Sequence, residues 1–124
     1  MSDTMLLDGR SALVVDDDYI LAMDARDALE EMGLAVVGPF SGVDAALASL
    51  QENRPNVAVV DLNLGSGPSF DLVRALAAQA VPTLMVTGYD KNIIPHDLAS
   101  VPYLQKPIAM HQLVSAVGQL LSSA

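Results

Sequence analysis

Five short apolar runs, separated by stretches of helix length, constrain the fold of this sequence more than any other feature. The runs cover residues 12–15, 34–37, 57–60, 83–86 and 101–104. A continuous apolar run is typical of a strand whose two faces are both covered, as in a parallel sheet between layers of helices. The pattern therefore predicts an α/β fold built on a five-stranded parallel sheet.

Apolar residues between these runs recur with the period of a helix. Gly33 follows the first periodic stretch, where a C-terminal cap is expected. Ser41 is predicted as the N-cap of the second helix, with Asp44 as its reciprocal acid. Pro68 and Ser69 are expected to lead into the third. The buried faces are predicted at Leu21, Ala25, Ala28, Leu29, Met32, Val43, Leu47, Leu50, Phe70, Val73, Ala77, Leu113, Val117, Leu120 and Leu121.

Regular alternation of strand and helix implies right-handed crossovers and a doubly wound sheet, most economically in the strand order 2-1-3-4-5. The stretch from Gly88 to Ser100 breaks the alternation, because Ile93 and Ile94 are followed at once by Pro95. We expect at most one helical turn there. The fourth helix of such a fold is therefore predicted to be short or irregular, and the segment mobile.

Length and composition narrow the possible functions. A chain of 124 residues predicts one domain, over residues 10–122 after an N-terminal extension of residues 1–9, without a fused effector. The absence of cysteine fits a reducing compartment, so the cytoplasm is the expected location. A net charge of −9 disfavours direct binding to nucleic acid or anionic membranes, and no apolar run approaches the ~20 residues of a membrane-spanning helix.

In a doubly wound sheet the loops that leave the carboxyl ends of the strands converge on one edge, where ligand sites form. Polar residues follow four of the five apolar runs at that edge. Gly38 and Pro39, which follow the second run, are expected to carry no chemistry. The polar residues are Asp16, Asp17 and Asp18 after the first run, Asp61 after the third, Thr87 after the fourth and Lys106 after the fifth.

Several carboxylates at one edge repel one another, by about 4 kcal/mol for two charges ~4 Å apart at an effective dielectric constant of ~20. A hard divalent cation such as Mg²⁺ offsets this repulsion with oxygen ligands. Asp16, Asp17 and Asp61 are the candidate ligands. Asp18 is interpreted as a cap of the first helix, and Asp61 taken alone could equally be a solvated acid before a turn.

Lys106 would place a positive charge beside these carboxylates, although taken singly it is compatible with an ordinary surface lysine. The following Pro107 allows a cis peptide bond that would turn the lysine over the sheet edge. A carboxylate, a divalent cation, the Thr87 hydroxyl and a lysine form a suitable set for accepting a phosphoryl group. The product would be an aspartyl phosphate.

With these motifs the sequence resembles the receiver domains of bacterial two-component response regulators, over nearly the whole chain. The resemblance includes the flavodoxin-like fold and its strand order. Each motif is weak alone, but all occur in order at appropriate spacings. The motifs are Val14-Val15-Asp16-Asp17, Val59-Val60-Asp61, Val86-Thr87-Gly88 and Gln105-Lys106-Pro107, with Tyr103 shortly before the lysine.

The resemblance implies a role for each matching residue. Asp61 would be the phospho-acceptor, and Mg²⁺ would be held by Asp16, Asp17, Asp61 and the backbone carbonyl of Asn63. Thr87 and Lys106 would contact the phosphoryl group. Thr87 and Tyr103 would form the conformational switch, although Tyr103 is nearly as compatible with a space-filling aromatic at the sheet edge. The implied partners are a sensor histidine kinase or histidine phosphotransfer protein and an unknown downstream protein.

Two features depart from the usual pattern of the family. Leu64-Gly65 replaces the Met-Pro that commonly follows the acceptor. The irregular stretch after Met85-Val86-Thr87-Gly88-Tyr89 is similar to a receiver subclass with a Phe-Ala-Thr-Gly run and a reduced fourth helix. Output through an ordinary fourth-helix surface is therefore in doubt.

Three other functions remain open at this point. Asp16 and Asp18 fit the Asp-x-Asp pair of haloacid-dehalogenase-type phosphohydrolases, with Asp16 as nucleophile, but no acidic residue follows Lys106 as such enzymes need. A flavin or nucleotide binder on the same fold would want a glycine-rich loop after the first strand, where three aspartates stand instead. The third is a receiver-like interaction module that is never phosphorylated.

Overall fold

The computed structural model describes residues 9–63 and 70–123, and these form a sheet with helices on both faces. Two short 3₁₀ turns, Lys91–Ile93 and His96–Leu98, lie between the fourth and fifth strands. The strands are β1 (Ser11–Val15), β2 (Ala35–Phe40), β3 (Val57–Asp61), β4 (Thr83–Thr87) and β5 (Tyr103–Gln105), and the helices are α1 (Tyr19–Glu31), α2 (Val43–Glu52), α3 (Asp71–Ala78) and α4 (Met110–Ser123).

All strand pairs are parallel, and the strand order is β2-β1-β3-β4-β5. The predicted flavodoxin-like topology is therefore confirmed. β1, β3 and β4 are central strands with a neighbour on each side, whereas β2 and β5 are the edges. The carboxyl ends of the three central strands carry most of the predicted site residues.

The sheet separates two hydrophobic cores, which explains the continuous apolar runs. Leu13 and Val15 of β1 pack into one core with residues of α2 and α3. Ala12 and Val14 of the same strand pack into the other with residues of α1 and α4. Because successive side chains of a strand point to opposite faces, both sets must be apolar.

The edge strands differ from the sequence prediction in their bounds. β2 extends to Phe40, so Gly38 and Pro39 lie inside the strand and not after it. Gly38 has a φ of +100°, and a Cβ there would lie 2.9 Å from the backbone oxygen of Val14, so only glycine fits. Proline is tolerated because β2 is an edge strand.

At the other edge β5 begins at Tyr103, two residues later than predicted. The backbone N–H of Val101 donates to the carbonyl of Leu98 at 3.0 Å and closes the preceding turn. Val101 is therefore committed to the turn and cannot start the strand. A short apolar run beside a turn signal gave the right element but the wrong first residue.

Two helix details were also predicted wrongly. The N-cap of α2 is Gly42, without a side-chain hydrogen bond, and the predicted capping box of Ser41 and Asp44 does not form. In α3 the buried residues are Leu72, Val73 and Leu76, and Ala77 is exposed. Other predictions fall on residues outside the described ranges: the extension up to Asp8, the Leu64-Gly65 departure, and the entry through Pro68 and Ser69.

The segment between β4 and β5 contains two separate 3₁₀ turns, so the prediction of at most one helical turn is wrong in number. Leu98 is buried in the core beside α3. Asp97 accepts hydrogen bonds from Nε of Arg74 at 2.9 Å and from its Nη2 at 3.3 Å. These contacts hold the carboxyl-terminal half of the segment against α3.

We predict that the amides of residues 90–94 exchange with solvent at least about a hundredfold faster than those of Leu84 and Val86 in β4. Residues 88–97 are exposed or partly exposed, whereas β4 is a buried central strand. Amide hydrogen exchange of the unphosphorylated protein measures this directly. Protection equal to that of β4 would show that the segment is not mobile.

Candidate functional site

Asp61 is the last residue of β3, and its carboxylate is completely buried. The Lys106 ammonium lies 3.0 Å from its Oδ2. The backbone N–H of Asn63 donates to its Oδ1 at 2.9 Å. The carboxylate therefore has a charged partner on one oxygen and a neutral donor on the other.

Lys106 follows β5 directly, as predicted. Its backbone N–H donates to the carbonyl of Thr87 at 2.7 Å, which fixes it beside the end of β4. The Lys106–Pro107 peptide bond is cis. Burial alone would lower the pKa of Lys106, but the hydrogen bond and charge of Asp61, with the charges of Asp16 and Asp18, raise the pKa above its ordinary value. The lysine is therefore firmly protonated.

Asp16 lies at the same edge, at the end of β1, and is only 9% exposed. Its backbone N–H donates to the carbonyl of Phe40 in β2 at 2.9 Å. Its Oδ1 accepts the backbone N–H of Asp18 at 2.8 Å. Asp18 in turn is the N-cap of α1, and its Oδ1 accepts the N–H of Leu21 at 3.2 Å. The predicted capping role of Asp18 is confirmed.

One carboxylate oxygen each of Asp16, Asp17 and Asp61 lies within 4.8 Å of the others. This set fits a hard divalent cation, because all three donors are oxygens. Asp17 is exposed, so water can complete the coordination. The three predicted carboxylate ligands are thus brought together.

The pKa of Asp16 is raised to about 7. Burial is the largest cause, and the hydrogen bond to Asp61 and the charge of Asp61 act in the same direction, whereas the Asp18 N–H and the Lys106 charge act against it. Two buried acids side by side cannot both ionise freely. A bound cation would relieve this repulsion.

Thr87 is the last residue of β4 and is completely buried. Its hydroxyl oxygen accepts the backbone N–H of Tyr89 at 2.8 Å. At the neighbouring Gly88, an added Cβ would lie 3.5 Å from the side-chain nitrogen Nδ2 of Asn63. The Oδ1 of Asn63 is buried and has no hydrogen-bond partner in the described part of the chain. This edge of the site therefore contains polar groups with spare hydrogen-bonding capacity.

Tyr103 lies apart from the carboxylates. It pairs with Met85 in the sheet and packs, partly buried, against the core on the α2 and α3 side. Ile94 and Val101, which precede β5, pack against the same core as Tyr103.

Two backbone groups that position the acids were missed by the sequence analysis. The carbonyl of Phe40 holds the start of the acidic loop, and the N–H of Asn63 orients Asp61. Gly38, directly after the second apolar run, was the available signal for the Phe40 carbonyl, because an isolated glycine in a strand often marks a close approach of backbones. Nothing in the sequence singles out the second.

Comparison with known proteins agrees with this geometry. A family model described as the response regulator receiver domain matches residues 12–118. The acid tolerance regulatory protein ActR of Sinorhizobium medicae is 31% identical over 115 residues, which cover 89% of this chain and 59% of that protein. The chain spans 47–59% of the length of the curated relatives that it matches.

Solved structures show the same fold. SdrG from Sphingomonas melonis Fr1 is 32% identical with a TM-score of 0.76, and the match covers 90% of this chain and 96% of that one. The receiver domain of PhyR from Erythrobacter litoralis has a TM-score of 0.83 at 20% identity, with 94% and 93% of the two chains covered. At that identity the second match supports the fold alone.

Proposed function

Because the chain belongs to the response regulator receiver domain family, we propose that Asp61 accepts a phosphoryl group from a histidine of a sensor kinase or phosphotransfer protein. The observation that carries the proposal is the fully buried Asp61 carboxylate, in contact with Lys106 and beside Asp16 and Asp17. We further propose a receiver domain over residues 10–122 that works in the cytoplasm.

In the proposed transfer, a carboxylate oxygen of Asp61 attacks phosphorus. The new P–O bond forms as the P–N bond to the donor imidazole breaks, and the imidazole leaves with the electron pair and takes up a proton. Lys106 can move its hydrogen bond from Oδ2 of Asp61 to an oxygen of the incoming group. The Thr87 hydroxyl is proposed to donate to a second oxygen.

Asp16, Asp17, Asp61 and the backbone carbonyl of Asn63 are proposed to hold Mg²⁺. When bound, the ion supplies positive charge against the acids and the phosphoryl oxygens. The residues of the chain then orient the acceptor: Asn63 through its N–H and Lys106 through its ammonium.

The proposed switch begins at Thr87. Its hydroxyl oxygen accepts the backbone N–H of Tyr89, and this hydrogen bond breaks when the hydroxyl turns toward the phosphoryl group. Tyr103 then repacks, and an existing equilibrium between two conformations shifts. The signal passes to a downstream protein by contact. With a net charge of −9, direct contact with nucleic acid or membrane is not proposed, and no helix of the described residues has the length and apolarity to cross a bilayer.

Similarity to the Phe-Ala-Thr-Gly subclass stays a proposal that rests on the irregular segment after β4. The phosphohydrolase alternative is not favoured, because Lys106 pairs with Asp61 and not with Asp16. A nucleotide binder is not favoured either, because the strand ends present carboxylates where the phosphates of a nucleotide would bind. A receiver that is never phosphorylated remains the second candidate, and it predicts no chemistry at Asp61.

The test is incubation with Mg²⁺ and acetyl phosphate followed by intact mass spectrometry. Wild type is expected to gain the mass of one phosphoryl group, because the acyl phosphate replaces the phosphohistidine donor. Asp61→Asn is expected to gain none. Chelation of Mg²⁺ is expected to slow labelling by about a hundredfold or more.

Glu31→Gln is a matched control, since Glu31 is an exposed acid at the carboxyl end of α1, away from the carboxyl ends of the strands. It is expected to label like wild type. Labelling that persists in Asp61→Asn but disappears in Asp16→Asn would favour the phosphohydrolase. No labelling of wild type by acetyl phosphate or by a phosphorylated histidine donor would favour the unphosphorylated module.

A further inference from the structure

The edge strand β2 contains one more residue than the part of β1 that it pairs with. Leu13 of β1 pairs with Val37, but Val15, two residues further along β1, pairs with Phe40. Three steps along β2 therefore match two steps along β1, which is the register of a β-bulge. Bulges are over-represented next to active sites, where they redirect the chain.

The side chains on either side of the bulge show its effect. In a regular strand, residues three positions apart point to opposite faces of the sheet. Val37 and Phe40 nevertheless both pack against the core on the α2 and α3 side, together with Leu13 and Val15. The bulge thus returns Phe40 to the face of its partner Val15.

Gly38 lies within the bulge, and its backbone has a φ of +100°, which side chains of L residues rarely adopt. A Cβ at this position would lie 2.8 Å from the backbone nitrogen of Phe40 and 2.9 Å from the backbone oxygen of Val14. Both atoms belong to the backbone, so no side chain could turn aside to make room. A larger residue at this position would therefore displace Phe40 itself.

Phe40 connects the bulge to the carboxylate site. Its backbone carbonyl accepts the N–H of Asp16 at 2.9 Å. Asp61, by contrast, is on β3, which pairs with β1 and β4 and has no contact with β2 in the sheet ladder. A shift of the Phe40 carbonyl would therefore move Asp16 relative to Asp61, although one oxygen of each now lies within 4.8 Å of the other.

We propose that Gly38 is a positioning residue of the metal site, because it places the Phe40 carbonyl that holds Asp16 and so sets the affinity for Mg²⁺. The inference rests on the proposed function, since it takes Asp16, Asp17 and Asp61 as ligands of that ion. Altering a group that orients a metal ligand typically changes metal affinity by about 10–100-fold. Gly38 offers no ligand atom from a side chain and no charge, so its influence is one of geometry.

The test is a titration of isotope-labelled, unphosphorylated protein with Mg²⁺, followed through the amide chemical shifts of residues 16–18 and 61–63. Gly38→Ala is expected to bind Mg²⁺ about tenfold more weakly than wild type. Before the metal is added, the scalar coupling across the hydrogen bond from the Asp16 N–H to the Phe40 carbonyl is measured. Wild type is expected to show this coupling, and Gly38→Ala is expected to lose it.

Gly42→Ala is the matched control, because it makes the same substitution four residues later and leaves the net charge unchanged. The backbone of Gly42 is extended, and an added Cβ there would meet no atom of the described residues within 4 Å. This variant is expected to keep both the coupling and the Mg²⁺ affinity of wild type.

Removal of the extra residue provides a rescue. When Pro39 is deleted, two steps along β2 match two steps along β1, and Phe40 stays opposite Val15 and on the same face as Val37. An alanine at position 38 can then adopt ordinary strand geometry. The variant that combines Gly38→Ala with deletion of Pro39 is expected to regain the coupling and to bind Mg²⁺ within about twofold of wild type.

The inference requires that coupling and Mg²⁺ affinity fall together in Gly38→Ala. A loss of either one alone, or equal weakening of Mg²⁺ binding by Gly42→Ala, would overturn it.

If Gly38→Ala does not fold, the combined variant decides. Mg²⁺ affinity close to that of wild type would support the inference, whereas weak binding or failure to fold would overturn it. A wild type that binds no Mg²⁺ would refute the proposed metal site and this inference together. Wild-type binding of Mg²⁺ with unchanged affinity in Gly38→Ala would refute this inference alone.

Discussion

In the absence of Mg²⁺, Asp16→Asn is expected to be more stable than wild type at pH 7.5, by up to about 4 kcal/mol in the free energy of unfolding. The pKa of Asp16 rises from 3.8 to about 7 on folding, because burial and the neighbouring Asp61 disfavour its charged form. Each pKa unit corresponds to about 1.4 kcal/mol, which gives the upper limit. Asparagine cannot ionise and keeps an oxygen for the N–H of Asp18.

The sign of the pH dependence follows from linkage. A carboxyl with a raised pKa holds its proton more tightly in the folded protein, so its contribution to stability is complete below pH 3.8 and is lost as the pH rises through about 7. The difference between variant and wild type is therefore expected to be near zero at about pH 4 and to grow up to about pH 7. Urea unfolding at several pH values, with a chelator present, measures it.

Two controls complete this prediction. Asp17→Asn changes an acid of the same cluster that is exposed, and its effect is expected to stay within about 0.5 kcal/mol. Added Mg²⁺ is expected to stabilise wild type, because the ion binds only the folded site. The difference in free energy of unfolding between wild type and Asp16→Asn is therefore expected to become smaller. If Asp16→Asn were less stable than wild type at pH 7.5 without metal, the ionised Asp16 carboxylate would not destabilise the folded protein.

The sequence predicted the site well where its residues follow central strands. β1, β3 and β4 are buried on both faces, so their ends are marked by the end of an apolar run. Asp16, Asp61 and Thr87 stand at those ends, and parallel register brings the ends together. Placement of these residues needed no knowledge of individual contacts.

The edges of the sheet could not be predicted to the same degree. β2 and β5 pair on one side only and are partly exposed, so apolar runs do not mark their limits. The continuation of β2 depends on the positive φ of Gly38 beside the backbone of β1, which is a contact between distant parts of the chain. It is this continuation that brings the Phe40 carbonyl to Asp16.

Local signals also failed where packing decided the outcome. Ser41 is a good capping residue, but Phe40 and Val43 on either side pack against the core, and α2 starts after Gly42. Leu98 is a single apolar residue in an irregular stretch, so no periodicity marks it. Its burial became visible only with the position of α3.

Lys106→Met is expected to lower the free energy of unfolding by about 3 kcal/mol at pH 7.5 without Mg²⁺. The Asp61 carboxylate is fully buried. Without the lysine, its charge is compensated only by the backbone N–H of Asn63. Breaking a buried ion pair typically costs about 3–5 kcal/mol, and the lower end applies because the Lys106 side chain is 24% exposed. Chemical denaturation is the measurement.

Lys91→Met is the matched control, because it removes the other lysine of the chain from an exposed position with the same substitution. Its effect is expected to stay within about 0.5 kcal/mol. Equal effects of the two variants would mean that the contact between Lys106 and Asp61 contributes no more than a surface lysine does.

Asp16→Asn and Lys106→Met are expected to change the free energy of unfolding in opposite directions within one site, and their combination tests whether the charges act together. In wild type the Lys106 charge lowers the pKa of Asp16, while Asp61 raises it. Without the lysine, Asp16 and Asp61 repel each other with less compensation. Asp16→Asn is therefore expected to stabilise the Lys106→Met protein by about 1 kcal/mol more than it stabilises wild type, measured by a double-mutant cycle. Simple additivity of the two changes would show that the residues do not form one electrostatic unit.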